Sequence, residues 1–540
     1  MTSTTLPAAP PPAGVPDADP LAAARARVDR LEARLRQDAA PGEAPPRRIE
    51  THISWVLLAG DRAWKLKKPV LMSFLDFRSL AQRRRACEEE LRLNRRLAPS
   101  IYLGLADVVE AADGTLALRP AARAGSVAGV VDVAVCMRRF PDGALWSERL
   151  AAGGLGADDI DAFAARLADF HRQAAVLPEA APHAGAAAQR RISEDLVAAL
   201  DAWAAGHRRE SADWPAVRSA LREQLEALEP LWPHRRADGR VRECHGDLHL
   251  ANVVQLDDGP SAFDGIEFNP AMRWIDVLDD LAFLAMDLAV RGRADLAGRL
   301  VNAYLDETGD HAGLPALRFF LVRRALVRAV VATLGGAAPG APSTEEHLRW
   351  ARALCERRGR LALTHGLPGS GKSRVAQQLL EASFAIRLRA DVERKRLFGL
   401  RALASSRAVP GGIYDAEASR RTYEHLRALA GLALRAGWPV IVDAAHLRRS
   451  EREALVLLAA RLSRPALVLD CQAPPEVLRE RVRRRTAAGG DASEADEAVL
   501  ARLAGVQEPL ADDERRHALA IDTTQASDPA GWARRWFAQP

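Results

Sequence analysis

The sequence Cys244-His-Gly-Asp247-Leu-His-Leu-Ala-Asn252-Val-Val is followed, after a polar turn, by Ala262-Phe-Asp264-Gly-Ile-Glu. Asp247 is suited to accept the proton of an attacking hydroxyl. Asn252, five residues further on, and Asp264, at the end of an apolar run, offer the oxygen ligands that Mg²⁺ prefers. The spacing therefore predicts a general base followed by two metal ligands, and the alternative is a polar turn between two strands.

This pattern, His-Gly-Asp247-x4-Asn252 with the following Asp264, resembles the aminoglycoside phosphotransferase and choline kinase branch of the protein-kinase-like fold. The resemblance implies a phosphotransferase in which Asp247 is the base and Asn252 and Asp264 hold the Mg²⁺ that bridges the nucleotide phosphates. It also implies an aspartate on the next helix that braces the catalytic loop. Asp276 and Asp280 are both candidates for that role.

Acidic residues are concentrated around this loop, since residues 247–287 contain nine acids and a single base, Arg273. Nine carboxylates exceed what Mg²⁺ requires. They predict an acceptor that is cationic or neutral, such as an amino sugar or a polyol, because phosphorylated acceptors would be repelled. The alternative is that these carboxylates point into helix caps and solvent.

Length and composition fit an intracellular protein of several domains. The chain has 540 residues, of which 48% are apolar, and this is ample for globular cores. Its five cysteines form no Cys-x-x-Cys pair, and their odd number argues against a disulfide framework. No apolar run reaches the roughly 18 residues that a membrane helix needs, and the N-terminus lacks a signal pattern. We therefore expect a cytoplasmic protein with no membrane partner.

Lysine is rare, since only five of the 76 basic residues are lysines. Arginine therefore carries the general surface charge, and a lysine is expected where a compact ammonium is required, as at a nucleotide phosphate. The five are Lys65, Lys67, Lys68, Lys372 and Lys395, and all lie near the nucleotide motifs. Compositional drift is the alternative for Lys67, Lys68 and Lys395.

The N-terminal part of the chain predicts the nucleotide lobe of the kinase-like fold. Residues 49–70 have a strand, turn, strand pattern that places Lys65 and Lys67 on one face of the second strand. A helix predicted over residues 80–97 contains Glu88-Glu89-Glu90. In the fold that the sequence resembles, a strand lysine binds the nucleotide phosphates and pairs with an acid on the next helix, and we assign these roles to Lys65 and Glu90. A solvated charged face is the alternative for the glutamates.

Two features complete the description of this region. No Gly-x-Gly-x-x-Gly precedes Lys65, which departs from the protein-kinase pattern, although small-molecule kinases of this fold often lack that loop. Residues 131–140 predict a buried strand leading into a hinge at residues 139–143, where a nucleotide base would lie.

A second nucleotide motif is Gly366-Leu-Pro-Gly369-Ser370-Gly371-Lys372-Ser373, which follows a short apolar strand and precedes a helix. This is the context that a P-loop requires. Its glycines let backbone N–H groups wrap the β-phosphate, Lys372 reaches the β and γ oxygens, and Ser373 ligates Mg²⁺. The alternative is a simple Gly-rich turn.

Two further carboxylates follow predicted strands in this region. A strand over residues 384–390 ends in Asp391-Val-Glu-Arg394, and one over residues 439–442 ends in Asp443. These features resemble the P-loop kinases of the gluconate kinase, polynucleotide kinase and zeta-toxin type. The resemblance implies that Asp391 contacts or deprotonates the acceptor hydroxyl and that Asp443 is the Walker-B-type metal carboxylate. We group Arg394 with Asp391 as a catalytic residue.

Residues 476–485 include Arg481, Arg483, Arg484 and Arg485, and a flexible hinge is predicted after them at residues 489–491. The pattern is typical of an arginine lid that closes over the phosphates, with Arg481 and Arg485 as nucleotide contacts. A plain amphipathic helix end is the alternative. The net charge of +5 divides unevenly, because residues 361–540 carry +6. This excess, with Arg394, Arg396 and the 481–485 cluster, predicts an anionic acceptor for the P-loop half.

Taken together, the two halves resemble bacterial bifunctional proteins with an aminoglycoside phosphotransferase-like domain and a P-loop ATP-binding domain of the AAA family. We predict disorder over residues 1–20, a helix and linker over 21–46, a kinase-like α+β domain over 47–357, and a doubly wound α/β P-loop kinase domain over 358–540. The predicted function is ATP- and Mg²⁺-dependent phosphoryl transfer at both sites. The acceptors would be a small molecule for the first and a small molecule or a nucleotide or nucleic-acid 5′-hydroxyl for the second. The alternatives are a regulatory or toxin-like ATPase whose kinase-like domain only binds ligands, and a nucleic-acid end-repair kinase.

Overall fold

The computed structural model describes residues 19–72, 75–121, 128–209, 211–334, 340–406, 409, 412–488 and 491–539. The chain divides into two compact units. Unit 1 comprises Met1–Asp142 and Asp264–Pro270, and unit 2 comprises Gly143–Phe263 and Ala271–Pro540. Disorder was predicted over residues 1–20, of which only residues 19 and 20 are described. Of the flexible hinge predicted at residues 489–491, only residue 491 is described. The predicted domain boundary between residues 357 and 358 falls inside unit 2.

Unit 1 is built on a six-stranded antiparallel sheet in the order β1-β2-β3-β8-β6-β7. Its elements are α1 Pro20–Asp38, β1 Arg47–Glu50, β2 Ser54–Ala59, β3 Arg62–Lys67, β4 Leu71–Met72, β5 Leu75–Asp76, α2 Leu80–Asn94, β6 Tyr102–Glu110, β7 Leu116–Pro120 and β8 Val130–Arg138. β4 and β5 form a separate two-stranded sheet.

The period-two alternation of β3 decides which helix covers which face of this sheet. Leu66 packs with Val28 and Leu31 of α1 in one hydrophobic cluster. Lys65 and Lys67 point to the opposite face because successive side chains alternate along a strand, and there they meet α2. Ser79 caps α2 through a capping box, which fixes where that helix begins.

The first part of unit 2, the helical subdomain, runs from α3 to α12. Its elements are α3 Trp146–Ala151, α4 Ala157–Gln173, α5 Ala186–Gly206, α6 Trp214–Ala227, α7 Leu231–Ala237, β9 Val241–Glu243, β10 Val253–Leu256, β11 Gly259–Ala262, α8 Pro270–Arg273, β12 Trp274–Asp276, α9 Val277–Val290, α10 Ala294–Thr308, α11 Leu314–Thr333 and α12 Thr344–Glu356, with 3₁₀ turns at Leu250–Asn252 and His311–Gly313. α9 is buried at every position from Val277 to Ala289, so it forms the centre of this subdomain.

The second part of unit 2, the P-loop subdomain, contains a five-stranded parallel sheet in the order β14-β15-β13-β16-β17. Its elements are β13 Arg360–His365, α13 Lys372–Ser383, β14 Ile386–Arg389, α14 Ala390–Leu397, α15 Ala416–Arg435, β15 Pro439–Asp443, α16 Arg449–Arg461, β16 Ala466–Gln472, α17 Pro475–Ala488, α18 Glu497–Ala504, α19 Asp512–Arg515, β17 Ala518–Asp522 and α20 Pro529–Phe537. The strand predicted over residues 384–390 is shorter than expected. α14 begins at Ala390, so Asp391 lies in the first turn of a helix.

The helical and P-loop subdomains share a core within unit 2. A Cβ added at Gly298 of α10 would lie 3.1 Å from the ring of Phe384 and 3.4 Å from the carbonyl of Leu380. The indole N–H of Trp438 donates to the carbonyl of Leu314 at 3.0 Å. Arg318, which is 8% exposed, donates to the carbonyls of Cys355 and Gly437. The two subdomains are therefore packed together and are not joined by an open linker.

The predicted fold class is confirmed. An antiparallel sheet with a lysine-bearing strand and a following helix, together with a helix-rich region that carries the Asp247 loop, is the kinase-like α+β arrangement. An open parallel sheet whose first strand runs into a Gly-rich loop and a helix is the doubly wound P-loop arrangement. Among the described residues, no helix combines the length and apolar character that crossing a bilayer requires.

Candidate functional site

The loop between β13 and α13 requires glycine at defined positions. Gly369 has φ 84°, and a Cβ there would lie 2.6 Å from the carbonyl oxygen of Leu478. A Cβ at Gly366 would lie 2.7 Å from the carbonyl oxygen of Cys471. Because no side chain fits at either position, the backbone can curl tightly ahead of α13, whose first residue is Lys372. Such a loop at a helix N-terminus suits a phosphate group.

Two oxygen-bearing side chains meet beside this loop, one from the first turn of α13 and one from the end of β15. The Ser373 hydroxyl donates to Oδ1 of Asp443 at 3.1 Å, and β15 ends at Asp443. A hydroxyl and a carboxylate are the hard oxygen ligands that Mg²⁺ takes. The residues present therefore fit a nucleotide-bound Mg²⁺.

A cavity of about 890 Å³ opens from the P-loop toward α14, α15 and α17. Its walls include Lys372, Ser373, Asp391, Arg394, Asp443, Arg481 and Arg485, which the sequence had singled out, with Gly369 and Gly371 of the loop. Tyr414, Ser419 and Tyr423 also line it and were not predicted. Basic residues outnumber acidic ones in its lining, with nine arginines and one lysine against six carboxylates. The cavity therefore favours anions.

Asp391 and Arg394 stand on α14 at the cavity wall without an opposite charge to bind. Asp391 is half-buried and has no hydrogen bond or ion pair among the residues that the structure describes. Arg394 is only 7% exposed. Its guanidinium donates to the carbonyl of Ile413 and the hydroxyl of Ser419 and lies over the ring of Tyr414, while its Nε has no acceptor. A buried guanidinium without a carboxylate is costly, which suits a place where an anion binds.

Arg396, which the charge argument grouped with Arg394, has a different role, and this prediction was wrong. Its guanidinium donates to Glu393 and to the carbonyl of Asp306. Glu393 is 1% exposed and also accepts from His311 at 3.0 Å and from His425 at 3.1 Å. Burial alone would raise the pKa of Glu393, but these partners hold it well below its ordinary value. Arg396 is therefore neutralised inside the fold.

The four arginines of the predicted lid, all on α17, fall into two groups. Arg481 donates to the carbonyl of Gly369 at 3.2 Å and to Thr523, and Arg485 donates to the carbonyl of Ala495; both line the cavity. Arg483 and Arg484 instead pair with Glu497 and Glu480. The ion pairs of Arg483 and Arg484 are exposed, and neither arginine lines the cavity. These two arginines therefore add no charge for an acceptor, contrary to the cluster argument.

In unit 1, Lys65 and Glu90 form the predicted pair. Lys65 Nζ lies 2.9 Å from Oε1 of Glu90 and also donates to Asp264. Lys67, two residues along the same strand face, lies 2.7 Å from Oε2 of Glu90 and binds Glu267. Burial is outweighed by the two ammonium groups, which lower the pKa of Glu90 to about 2. Sequence reasoning assigned one lysine to Glu90, although the shared strand face already indicated both.

Asp264 is held in position by neighbours in unit 1. Its backbone N–H donates to the Tyr102 hydroxyl at 3.0 Å, and the next N–H, of Gly265, donates to the side chain of Asn94 at 2.8 Å. The φ of Asp264 is 63°, in the left-handed region that Asp tolerates better than most residues. Such strain is typical of functional positions.

In unit 2, Asp280 braces the loop that carries Asp247. Its carboxylate accepts from the backbone N–H groups of His245 at 3.0 Å and Gly246 at 2.9 Å, and from His171. These bonds outweigh burial and lower the pKa of Asp280 to about 2. Of the two candidates that the resemblance left open, the structure therefore places Asp280 in the bracing role. Asp276 instead binds Arg235.

Asp247 and Asn252 are in direct contact within this loop. Asn252 Nδ2 donates to Oδ2 of Asp247 at 3.1 Å, and His249 Nε2 lies 3.4 Å from the same oxygen. Burial alone would raise the pKa of Asp247, but His249 and His245 hold it well below its usual value. Asp247 is thus a carboxylate at neutral pH, which is the form that a general base requires.

Most acids of residues 247–287 are bound inside their own unit, so they are not the free charge on which the prediction of a cationic or neutral acceptor rests. Asp279 pairs with Arg323 and Arg324. Asp287 accepts from the N–H of Leu250 and pairs with Arg291. The partners described above bind four more of these acids, namely Asp264, Glu267, Asp276 and Asp280. Arginines, lysines and backbone N–H groups therefore bind most of these carboxylates, whereas the alternative placed them in helix caps and solvent.

Comparisons with known proteins identify a described family in the P-loop region and similar solved structures for parts of the chain. A family model described as an AAA domain matches residues 361–510. Among solved structures, a choline/ethanolamine kinase family protein from Mesorhizobium loti is 17% identical, with 61% of this chain and 95% of that chain covered and a TM-score of 0.35. A gluconokinase from Sinorhizobium meliloti 1021 is 21% identical over 34% of this chain and 92% of its own, with a TM-score of 0.24.

Three mycobacterial proteins match nearly the whole chain. The uncharacterized protein Rv2004c of Mycobacterium tuberculosis H37Rv is 32% identical over 466 residues, which cover 84% of this chain and 89% of that protein. The uncharacterized proteins MT2060 of Mycobacterium tuberculosis CDC 1551 and Mb2027c of Mycobacterium bovis match to the same extent. The chain belongs to the same family as Rv2004c, MT2060 and Mb2027c.

Proposed function

We propose that this protein is an ATP-dependent phosphotransferase and that its P-loop cavity transfers the γ-phosphoryl group of ATP to a hydroxyl acceptor. One observation supports this above the others: the phosphate loop, the Ser373–Asp443 oxygen pair and the unpaired carboxylate of Asp391 all face one cavity of about 890 Å³. A P-loop with a metal carboxylate suffices for ATP binding. The carboxylate of Asp391 in the same cavity is what a hydroxyl acceptor requires in addition.

The reaction follows from these positions. Asp391 accepts the proton of the acceptor hydroxyl while the hydroxyl oxygen forms a bond to the γ-phosphorus. The bond between that phosphorus and the β–γ bridging oxygen breaks, and ADP leaves. Lys372 and the loop N–H groups hold the β- and γ-phosphates. Arg481, which contacts the loop at Gly369 and lines the cavity, stabilises the charge that develops on the phosphate oxygens. Mg²⁺, when bound by Ser373 and Asp443, would neutralise phosphate charge.

We propose that the acceptor carries an anionic group of its own. Arg394 is buried, faces the cavity and lacks a carboxylate partner among the described residues. A carboxylate or phosphate of the acceptor would supply the missing charge and place the hydroxyl beside Asp391, three residues away on α14. Hydroxy acids, sugar phosphates and nucleotides or nucleic-acid ends with a free hydroxyl all meet this requirement.

We propose phosphotransferase chemistry for the kinase-like residues as well. Asp247 is ionised, contacts Asn252 and lies on a loop braced by Asp280. In unit 1, Lys65 pairs with Glu90 and Asp264. Each group suits its predicted role, namely base and metal ligand in unit 2 and phosphate lysine and metal ligand in unit 1.

The test uses the full-length protein with γ-labelled ATP, Mg²⁺ and a panel of acceptors. The panel contains aldonic acids, sugar phosphates, nucleosides, 5′-hydroxyl oligonucleotides and amino sugars. We expect label to enter at least one anionic acceptor in the wild type and not in Lys372→Ala. If label appears only as free phosphate with every acceptor, the protein is an ATPase and the proposal is wrong.

A further inference from the structure

Helix α14 carries the acceptor-side residues of the P-loop cavity, but the helical subdomain holds its other side. The helix has five charged residues, namely Asp391, Glu393, Arg394, Lys395 and Arg396. Asp391 and Arg394 line the cavity, and Lys395 pairs with Glu494. Glu393 and Arg396 point away from the cavity and bind residues of the helical subdomain.

Those contacts come from the end of α10 and from the 3₁₀ turn that follows it. His311 Nε2 donates to Oε1 of Glu393 at 3.0 Å, with His311 2% and Glu393 1% exposed. Arg396 Nη2 donates to the carbonyl of Asp306 at 2.6 Å and to that of Leu305 at 3.2 Å. Glu393 is also bound by Arg396 and His425, so His311 supplies one of the three partners that hold this buried carboxylate in place.

The strand that leads into α14 is fixed in the same way. β14 is an edge strand of the P-loop sheet, so one row of its backbone groups needs partners outside the sheet. Asn302 of α10 supplies them, since its Nδ2 donates to the carbonyl of Ala385 at 2.8 Å and its Oδ1 accepts from the N–H of Arg387 at 2.6 Å. Asp306 lies 3.3 Å from the guanidinium of Arg389, the last residue before α14.

A helix of eight residues needs such support. Isolated helices shorter than about 12 residues are marginal in water, so packing and polar contacts set the position of α14. Asp391 lies between Arg389 and Glu393, both of which are bound by the helical subdomain. Any shift at those two anchors would therefore be transmitted to Asp391 and Arg394.

We propose that Asn302, Asp306 and His311 of the helical subdomain are positioning residues for the P-loop acceptor site. The helical subdomain thus holds β14 and α14 in the position that the acceptor site requires, whether or not the Asp247 loop is itself active. It follows that the P-loop kinase would not work as an independent domain. This would explain why the two kinase-like parts occupy one chain.

The first test measures amide hydrogen exchange in the full-length protein. His311→Ala should raise exchange over residues 390–397 by about 10-fold or more and leave the P-loop, residues 366–373, unchanged. His311→Gln, whose amide can donate to Glu393, should restore slow exchange. Asn302→Ala provides a second variant, with faster exchange expected over residues 385–397, should His311→Ala fail to fold.

Arg299→Ala is the matched control. Arg299 on α10 also joins the subdomains, through Asp161 and Glu381, but it does not contact β14 or α14 in the described structure. Its loss should leave exchange over residues 390–397 at the wild-type rate. If His311→Ala and Asn302→Ala leave α14 protected, or if Arg299→Ala exposes it equally, the inference is overturned.

The second test is kinetic and rests on the proposed phosphotransferase function. His311→Ala should raise the KM for the acceptor by about 10-fold, as expected for a misplaced binding group, while the KM for ATP stays unchanged. A general loss of stability would alter both. If exchange responds as predicted but the wild type transfers no phosphoryl group, the proposed function fails and the positioning inference stands.

Discussion

The acid-rich stretch around Asp247 and the arginine-rich cavity around Lys372 carry opposite charge, and the fold treats them differently. In the first, Asp276 and Asp279 are paired with arginines, and Asp280 accepts backbone N–H groups. In the second, Asp391 and Arg394 face a cavity and have no ion-pair partner within the part of the chain that the structure describes. The difference teaches that an internally paired charge is structural, whereas an unpaired charge beside a cavity marks a binding function.

The strongest way to break this comparison is to show that the two regions do not act separately. Lys372→Ala should lower phosphoryl transfer to anionic acceptors by about 10³-fold or more, because it removes a charge that stabilises the transferring group. Asp247→Asn should leave that reaction unchanged. Rates of labelled-product formation in the two full-length variants would measure this. Loss of the reaction in both variants would contradict separate chemistry.

The next prediction tests whether the paired acids are structural. Asp279→Asn should destabilise unit 2 by about 3 kcal/mol, because it leaves the buried charges of Arg323 and Arg324 without their carboxylate. It should not change which acceptors are used. Urea unfolding and the acceptor panel would be compared with Asp257→Asn, an exposed control. A changed acceptor preference at wild-type stability would contradict the structural role.

Arg394 tests the unpaired side of the comparison. Arg394→Gln should raise the KM for anionic acceptors by about 10- to 100-fold, the size of a lost charge-assisted hydrogen bond. Transfer to a neutral analogue, such as an alditol in place of an aldonic acid, should change far less. Arg483→Gln is the matched control because its side chain pairs with Glu497 on the surface. Equal effects of both substitutions would remove the argument from unpaired charge.

A smaller effect concerns a group that the fold keeps neutral. His446 is fully buried and donates through Nδ1 to the carbonyl of Thr364, and burial lowers its pKa from 6.5 to about 4. Between these values the unfolded chain binds more protons, so the contribution to stability is complete above pH 6.5 and is lost as the pH falls toward 4. From pH 7 to 5.5 we expect a loss of about 1 kcal/mol.

Urea unfolding at the two pH values would measure this loss in the wild type and in His446→Asn. The nearby His365 is also buried with a lowered pKa, and it contributes with the same sign. The difference between wild type and variant therefore isolates His446. If both lose the same stability between pH 7 and 5.5, the assignment to His446 is wrong.

The sequence predicted motifs well because their spacing reflects backbone geometry. Gly366 and Gly369 indicated a tight loop, and Lys65 was expected to meet a glutamate because the kinase-like fold that the sequence resembles pairs a strand lysine with an acid on the next helix. Partners far apart in sequence were not accessible. Arg396 was counted as free charge although Glu393, three residues earlier on the same helix, is a local partner. Its bond to the carbonyl of Asp306 and the contacts of His311 with α14 depend on packing between two subdomains.

The most direct test of the central claim is the fate of the γ-phosphoryl group in wild-type protein and in Asp391→Asn. With an anionic acceptor identified from the panel, we predict a phosphoester product in the wild type, detectable by ³¹P NMR. In Asp391→Asn we predict a loss of transfer of about 10²-fold or more, while the affinity for ATP is retained. Transfer by Asp391→Asn at the wild-type rate would show that the carboxylate of Asp391 is not the base and would contradict the account.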